Sequence, residues 1–113
     1  MREIKAVFQP AMLSRVIGAL KALPGLPGVT VSEVKGFGKS RAADAEQKIV
    51  EDMVEYSRRV KVEIVVPDDR VDEVLEAIRA NARTGKPGDG KIFVLPVNEV
   101  AKIRTGEKGD AAI

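Results

Sequence analysis

The chain has 113 residues, 44% of them apolar, with no low-complexity tract, which suits one compact domain around a single core. Nineteen basic and seventeen acidic side chains leave a net charge of +2, too small a bias to imply nucleic-acid binding by bulk electrostatics. Cysteine and histidine are both absent, which excludes a disulfide framework, a thiolate nucleophile and the usual general base; catalysis would rest on Asp, Glu, Lys, Ser or Tyr, and any metal on oxygen ligands.

Met1-Arg2-Glu3 leads directly into an alternating pattern rather than a signal peptide, and no apolar run reaches membrane-spanning length. A cytoplasmic protein with no direct membrane insertion is expected. From Glu3 to Gln9, Ile4, Ala6 and Phe8 fall on one side, which predicts a strand ended by Pro10. In "AMLSRVIGALKAL" the spacing of Met12, Leu13, Val16, Ile17, Leu20 and Leu23 predicts a helix, stopped by "PGLPG". "VTVSEVKGF" predicts a second strand. A polar stretch from Lys39 to Arg59 follows, and then "VKVEIVV" predicts a third strand with Val60, Val62, Ile64 and Val66 on one face and Lys61, Glu63 and Val65 on the other. "PDD", Pro67 to Asp69, signals a helix start, and Val71, Val74, Leu75 and Ile78 continue at helical spacing. After "TGKPGDGK", Ile92 to Val97 predicts a fourth strand, in which Pro96 points to an edge or a strand end.

The order β-α-β-β-α-β is that of a ferredoxin-like α+β domain with an antiparallel sheet. Two helices cover one face of such a sheet, so the mixed second face suits solvent, a ligand cleft or another copy.

Three segments carry candidate chemistry. "GFGKS" resembles a phosphate-binding P-loop at first sight, but the glycine required five positions earlier is Glu33, so it is not one; read as "KGFGK", its Gly36 and Gly38 let another backbone or a ligand approach closely at a strand end, a weak signal alone. "TGKPGDGKIFV", Thr84 to Val94, offers backbone N–H groups and lysines suited to a polyphosphate, or is simply a glycine-rich turn. "AKIRTGE" places Lys102 and Arg104 on one side of an extended segment, spaced to reach one anion together, or forms a solvated edge. Together the three make an anion site more credible than any one alone.

"VSEVKGFG", "VKVEIVVPDD", "TGKPGDGKIFV" and "IRTGEKGDAAI" occur as contiguous blocks in an order that resembles the PII nitrogen-regulatory signal-transduction family, over Glu3 to Ile113. The resemblance implies one domain over residues 1–113, with a T-loop at about 38–59, a phosphate loop at about 84–91 and a C-terminal segment at 100–113. It implies a homotrimer that binds ATP or ADP between subunits, with magnesium accompanying ATP, and a T-loop that docks on a target transporter or metabolic enzyme. On that resemblance, the adenine lies beside Val7, Thr30, Gly36, Glu63 and Val65, the phosphates beside Gly38, Lys39, Gly88, Gly90, Lys91, Lys102 and Arg104, and Asp89 also belongs to the nucleotide-binding set. Lysine stands at 39 and 102 where the family has arginine, which keeps the charge and loses the bidentate fork.

Other positions depart further from the family pattern. Ser40 stands where a glutamine helps ligate the magnesium that holds 2-oxoglutarate, Gln9 and Arg59 replace two lysines, and Asp52 replaces the tyrosine that receives a nucleotidyl group. Ser40, Arg41 and Arg59 remain candidates for a different effector. Ordinary 2-oxoglutarate sensing and tyrosine modification are not expected. Within the T-loop, Ile49, Val50, Met53 and Val54 recur at helical spacing beside Tyr56, which suits a short amphipathic helix for a partner or a face packed on the protein's own trimer. The expected function is a non-enzymatic, nucleotide-responsive regulator with no catalytic residue and no resident metal. Alternatives are a slow ATPase using Glu63 or Asp89, or a relative devoted to bicarbonate or metal-ion transport. An RNA-recognition domain shares the element order but needs exposed aromatics, and Phe8 and Phe93 read as core, so nucleic acid is not an expected partner.

Overall fold

The computed structural model describes residues 1–37, 48–51 and 54–113. Strand β1, Arg2–Phe8, alternates as the sequence predicts, with Ile4, Ala6 and Phe8 almost fully buried. Pro10 does not merely end it. With its φ preset and no N–H to lose, it opens a 3₁₀ turn, Pro10–Met12, that feeds helix α1, Leu13–Ala22. Met12, Val16 and Leu20 form the buried stripe, and the helix stops before Pro24 and the positive-φ Gly25.

Strand β2, Thr30–Gly36, follows, and then the chain departs from expectation. Lys48–Glu51 forms a short strand, β3, and Val54–Val66 a thirteen-residue strand, β4, which begins six residues before the predicted Val60. The two pair antiparallel, with Ile49 opposite Tyr56. The amphipathic helix expected here is therefore corrected to a hairpin over its described residues. A helix this short must meet its own nucleation cost, whereas β-branched Ile49, Val50 and Val54 favour extension and gain a ladder against a strand already in place.

Beyond β4, Asp68–Arg70 makes a 3₁₀ turn into helix α2, Val71–Ala82, which buries Val71, Val74, Ile78 and Ala82. The start is where "PDD" signals it, but Asp68 does not cap the helix: its carboxylate meets the N-terminal ammonium at 2.9 Å. That contact, reinforced by the charge of Arg2, holds the Asp68 carboxyl below its ordinary range. Strand β5, Gly90–Pro96, completes the sheet at an edge, with Pro96 as its last residue.

The sheet runs β2-β4-β1-β5, all antiparallel, with β3 attached to β4 outside that path. Both helices pack on the face bearing Ile4, Ala6, Val60, Val62, Ile64 and Val66, and this is the core of the described residues. Among the described residues, no helix packs on the opposite face. It carries Glu3, Lys5 and Val7 from β1, Lys61, Glu63 and Val65 from β4, and Lys91, Phe93 and Leu95 from β5. Phe93, read from sequence as core, is 48% exposed and belongs to this open face. The alternation of β5 shows why: Ile92 and Val94 take the positions opposite Ala6 and Ile4, so Phe93 must point the other way.

Candidate functional site

Register brings the sequence-predicted adenine neighbours onto one surface. On the open face, Thr30 stands opposite Glu63, Val65 follows two residues along the same strand, and Val7 lies opposite Lys61, one row from Glu63. Gly36 ends β2 opposite Ser57, and a β-carbon built there meets no atom within 4 Å, so the surface beside it is open to close approach. Glu63 is held by Lys61 at 3.6 Å, and Lys5 by Glu3 at 3.8 Å. The face is thus a mixture of paired charge and exposed apolar side chains.

The glycine-rich loop reaches this surface at its edge. Gly85, Gly88 and Gly90 all adopt positive φ, a region that costs L side chains energy. At Gly90 the constraint is also steric, since a β-carbon would sit 1.9 Å from the Val7 carbonyl oxygen. Asp89 organises the turn: its carboxylate accepts the Thr84 hydroxyl, the Thr84 N–H at 2.9 Å and the Gly85 N–H at 3.0 Å. Partial burial opposes its charge, but those hydrogen bonds, helped by Arg83, outweigh it and hold the carboxyl below its ordinary range. Gln9 donates to the Gly88 carbonyl oxygen at 3.3 Å and ties the loop to the end of β1. Lys91 then stands directly beside Val7 across the β1–β5 ladder, exposed and with no ion-pair partner among the described residues. A cleft of about 440 Å³ lies between this edge and α2, lined by Ala6, Phe8, Ile78, Asp89, Gly90 and Lys91.

Lys102 and Arg104 are not on an extended segment. Ala101 and Lys108 bridge, Gly106 N–H donates to the Lys102 carbonyl oxygen at 2.8 Å, and the intervening residues form a tight turn, which corrects the shared-side reading. Gly106 has a φ of 74°, the conformation a glycine supplies in such a turn. Lys102 pairs with Glu107 at 3.4 Å, while Ile103 at the tip is fully exposed beside Arg104. Among the described residues no hydrogen bond or ion pair joins this turn to the 84–91 loop. The fold therefore unites the sheet-face residues with Gly88, Asp89, Gly90 and Lys91, and leaves Lys102 and Arg104 in a separate unit.

Gly38, Lys39, Ser40, Arg41 and Met53 lie outside the described residues. Ile49, Val50 and Val54 are on the hairpin backbone. Arg59 turns along its own strand, with Nη1 donating to the Arg58 carbonyl oxygen at 2.8 Å. The Tyr56 ring meets Phe37 edge-to-face at a centroid separation of 6.5 Å, with the Lys35 ammonium 5.3 Å from its centre. Sequence reasoning missed Lys35 and Phe37 here. Their alternation along β2, against that of Tyr56 and Arg58 along β4, was the available signal.

Among the described residues, no helix is long and apolar enough to cross a membrane, and no group of three or more acidic side chains is placed to hold a metal ion. A family profile described as "Nitrogen regulatory protein P-II" matches residues 1–107. Over all 113 residues and the whole of each relative, the chain is 49% identical to nitrogen regulatory protein P-II 1 of Escherichia coli (strain K12). It is 46% identical to nitrogen regulatory protein P-II of Microchaete diplosiphon and 45% to that of Azospirillum brasilense, with the same complete coverage.

Proposed function

The chain belongs to the nitrogen regulatory protein P-II family and is a signal-transduction regulator rather than an enzyme, and on that premise we propose that it reports ATP and ADP to a target transporter or metabolic enzyme. The nucleotide sits in clefts between the subunits of a cytoplasmic homotrimer. Its base lies on Val7, Thr30, Gly36, Glu63 and Val65; its phosphates meet Gly88, Gly90 and Lys91, in the loop that Asp89 shapes, together with Lys102 and Arg104, with Gly38 and Lys39 contributing from the T-loop. Magnesium accompanies ATP as a phosphate counterion.

The observation that carries this reading is the pre-organised loop beside Val7. Asp89 fixes its turn, Gly90 packs where no side chain fits, and Lys91 stands exposed at its end. Backbone N–H groups and an ammonium held in this way can bind a polyphosphate without being ordered at the moment of binding. The trimer is supported by apolar surface that the single chain leaves exposed: Phe93 and Leu95 on the open sheet face, and Ile103 at the tip of the C-terminal turn.

Ordinary 2-oxoglutarate sensing is absent from this proposal. Gln9 holds the Gly88 carbonyl, Arg59 bonds to its neighbour's backbone, and Ser40 offers a hydroxyl in place of an amide carbonyl. Tyrosine nucleotidylylation is absent because position 52 is Asp. A slow ATPase gains no support: Glu63 is paired with Lys61, and Asp89 directs its oxygens into its own turn.

Isothermal titration calorimetry with ATP, ADP and AMP in the presence of magnesium, each repeated with 2-oxoglutarate, tests the proposal. ATP or ADP binds, 2-oxoglutarate leaves the affinity unchanged, and Lys91→Ala weakens it by roughly tenfold or more, as expected for loss of a charge-assisted phosphate contact. Absence of any nucleotide heat overturns the reading, and tightening by 2-oxoglutarate overturns its effector part.

A further inference from the structure

The cleft between α2 and the β1–β5 edge has walls that the nucleotide reading does not use. Its volume of about 440 Å³ is that of a small-molecule site. Phe8, Leu75, Ile78, Ala82 and Ile92 give it an apolar interior on the helix side of the sheet, whereas the side chains of Val7 and Lys91 alternate to the open face. Its charged lining is Arg79, Arg83, Asp89 and Lys91. Arg79 donates from Nε and Nη2 to the Glu76 carboxylate at 2.9 and 2.8 Å. Asp89 turns its oxygens toward Thr84 and Gly85, so its charge is taken up inside its own loop. The Arg83 side chain has no hydrogen bond or ion pair among the described residues, although its charge reaches Asp89. The acids are matched and a guanidinium is left over beside an apolar cavity.

We infer that this cleft binds a medium-chain acyl carboxylate, with its chain against Leu75, Ile78 and Ile92 and its head group on Arg83. The chain displaces water from the walls, and the planar carboxylate fits the paired donors of a guanidinium. A polyphosphate would leave the apolar walls uncovered, and a neutral alcohol of the same length would leave the guanidinium unmatched. Asp89 and Gly90 belong both to this cleft and to the glycine-rich loop, so an acyl ligand adds a second input to the element proposed to receive the nucleotide. The inference goes beyond the nucleotide reading and does not depend on it.

Isothermal titration calorimetry and methyl NMR of the full chain with octanoate test it, with acetate as the control for the chain and 1-octanol as the control for the charge. Octanoate binds at one site per chain, and each control binds roughly tenfold more weakly or worse. The methyl resonances of Leu75, Ile78 and Ile92 shift during the titration, while those of Val65, on the opposite face, stay in place. Arg83→Gln, a change on an exposed side chain, removes the preference for octanoate over 1-octanol, and Leu75→Gln weakens octanoate by roughly tenfold. A thermal melt of each variant confirms folding, and saturating ATP leaves octanoate bound. Absence of octanoate binding, parity between octanoate and 1-octanol, undiminished binding by either folded variant, shifts that bypass Leu75 and Ile78, or competitive displacement by ATP overturns the inference. Octanoate bound by a chain that takes no nucleotide leaves it standing and removes only the nucleotide reading.

Discussion

Asp89 and Gly90 illustrate how two adjacent residues can shape a loop by opposite means. Gly90 acts through the side chain it lacks, at a position where a β-carbon would sit 1.9 Å from the Val7 carbonyl oxygen, too close for any other residue. Asp89 acts through its charge, which draws in the Thr84 and Gly85 N–H groups. Because those bonds favour the carboxylate, its folded pKa lies below the unfolded value, and the stabilisation is complete above that unfolded value and lost as pH falls through the folded one. The Thr84 and Gly85 amide resonances should therefore shift together in an acid titration, with a midpoint below the ordinary aspartate value of about 3.9. A midpoint at or above that value would show that the carboxylate does not hold the turn.

At the scale of elements, α1 contains a position the fold does not use. Gly18 is exposed in the helix interior, and a β-carbon there meets nothing within 4 Å. Gly18→Ala should raise the unfolding free energy by about 1 kcal/mol through helix propensity and a less mobile unfolded chain. Urea denaturation would show a higher midpoint at unchanged slope, and a lower midpoint would mean that another surface packs closely on this helix. Elements whose apolar spacing faces a core were legible in the sequence: β1, both helices, and the Val60–Val66 half of β4 all follow their periodicity. The other half of β4 was not, because Glu55, Ser57, Arg58 and Arg59 carry little apolar signal and the strand is stabilised by pairing with β2 and β3. Phe93 was misread for a related reason: a continuous apolar run, "IFVLP", does not show which residue faces the helices until the register with β1 is known. In the candidate site, the glycine loop was legible as a turn, the sheet residues came from the family resemblance and are set on one face by strand register, and the turn at Lys102 and Arg104 was not legible. Its geometry comes from the Gly106 and Glu107 backbone bonds, which no hydrophobic period announces.

For the whole molecule, the separation of that turn from the 84–91 loop bears on how the proposed cleft is completed. If one subunit supplies Lys91 and its neighbour Lys102 and Arg104, then Lys91→Ala and Arg104→Ala proteins, each weakened in nucleotide binding, should regain a fraction of wild-type sites when unfolded together and refolded as a mixture. Calorimetry on the mixture checks this, and no recovery in properly assembled mixed trimers would place both residues in the same half of the cleft. A cleft divided in this way also links two equilibria. Nucleotide that binds only across the boundary favours association by the same free energy with which association favours nucleotide. The exposed turn around Ile103 would then make subunit concentration and nucleotide concentration interchangeable inputs: dilution could mimic depletion of the ligand, and abundant nucleotide could hold together an assembly that is sparse in the cell.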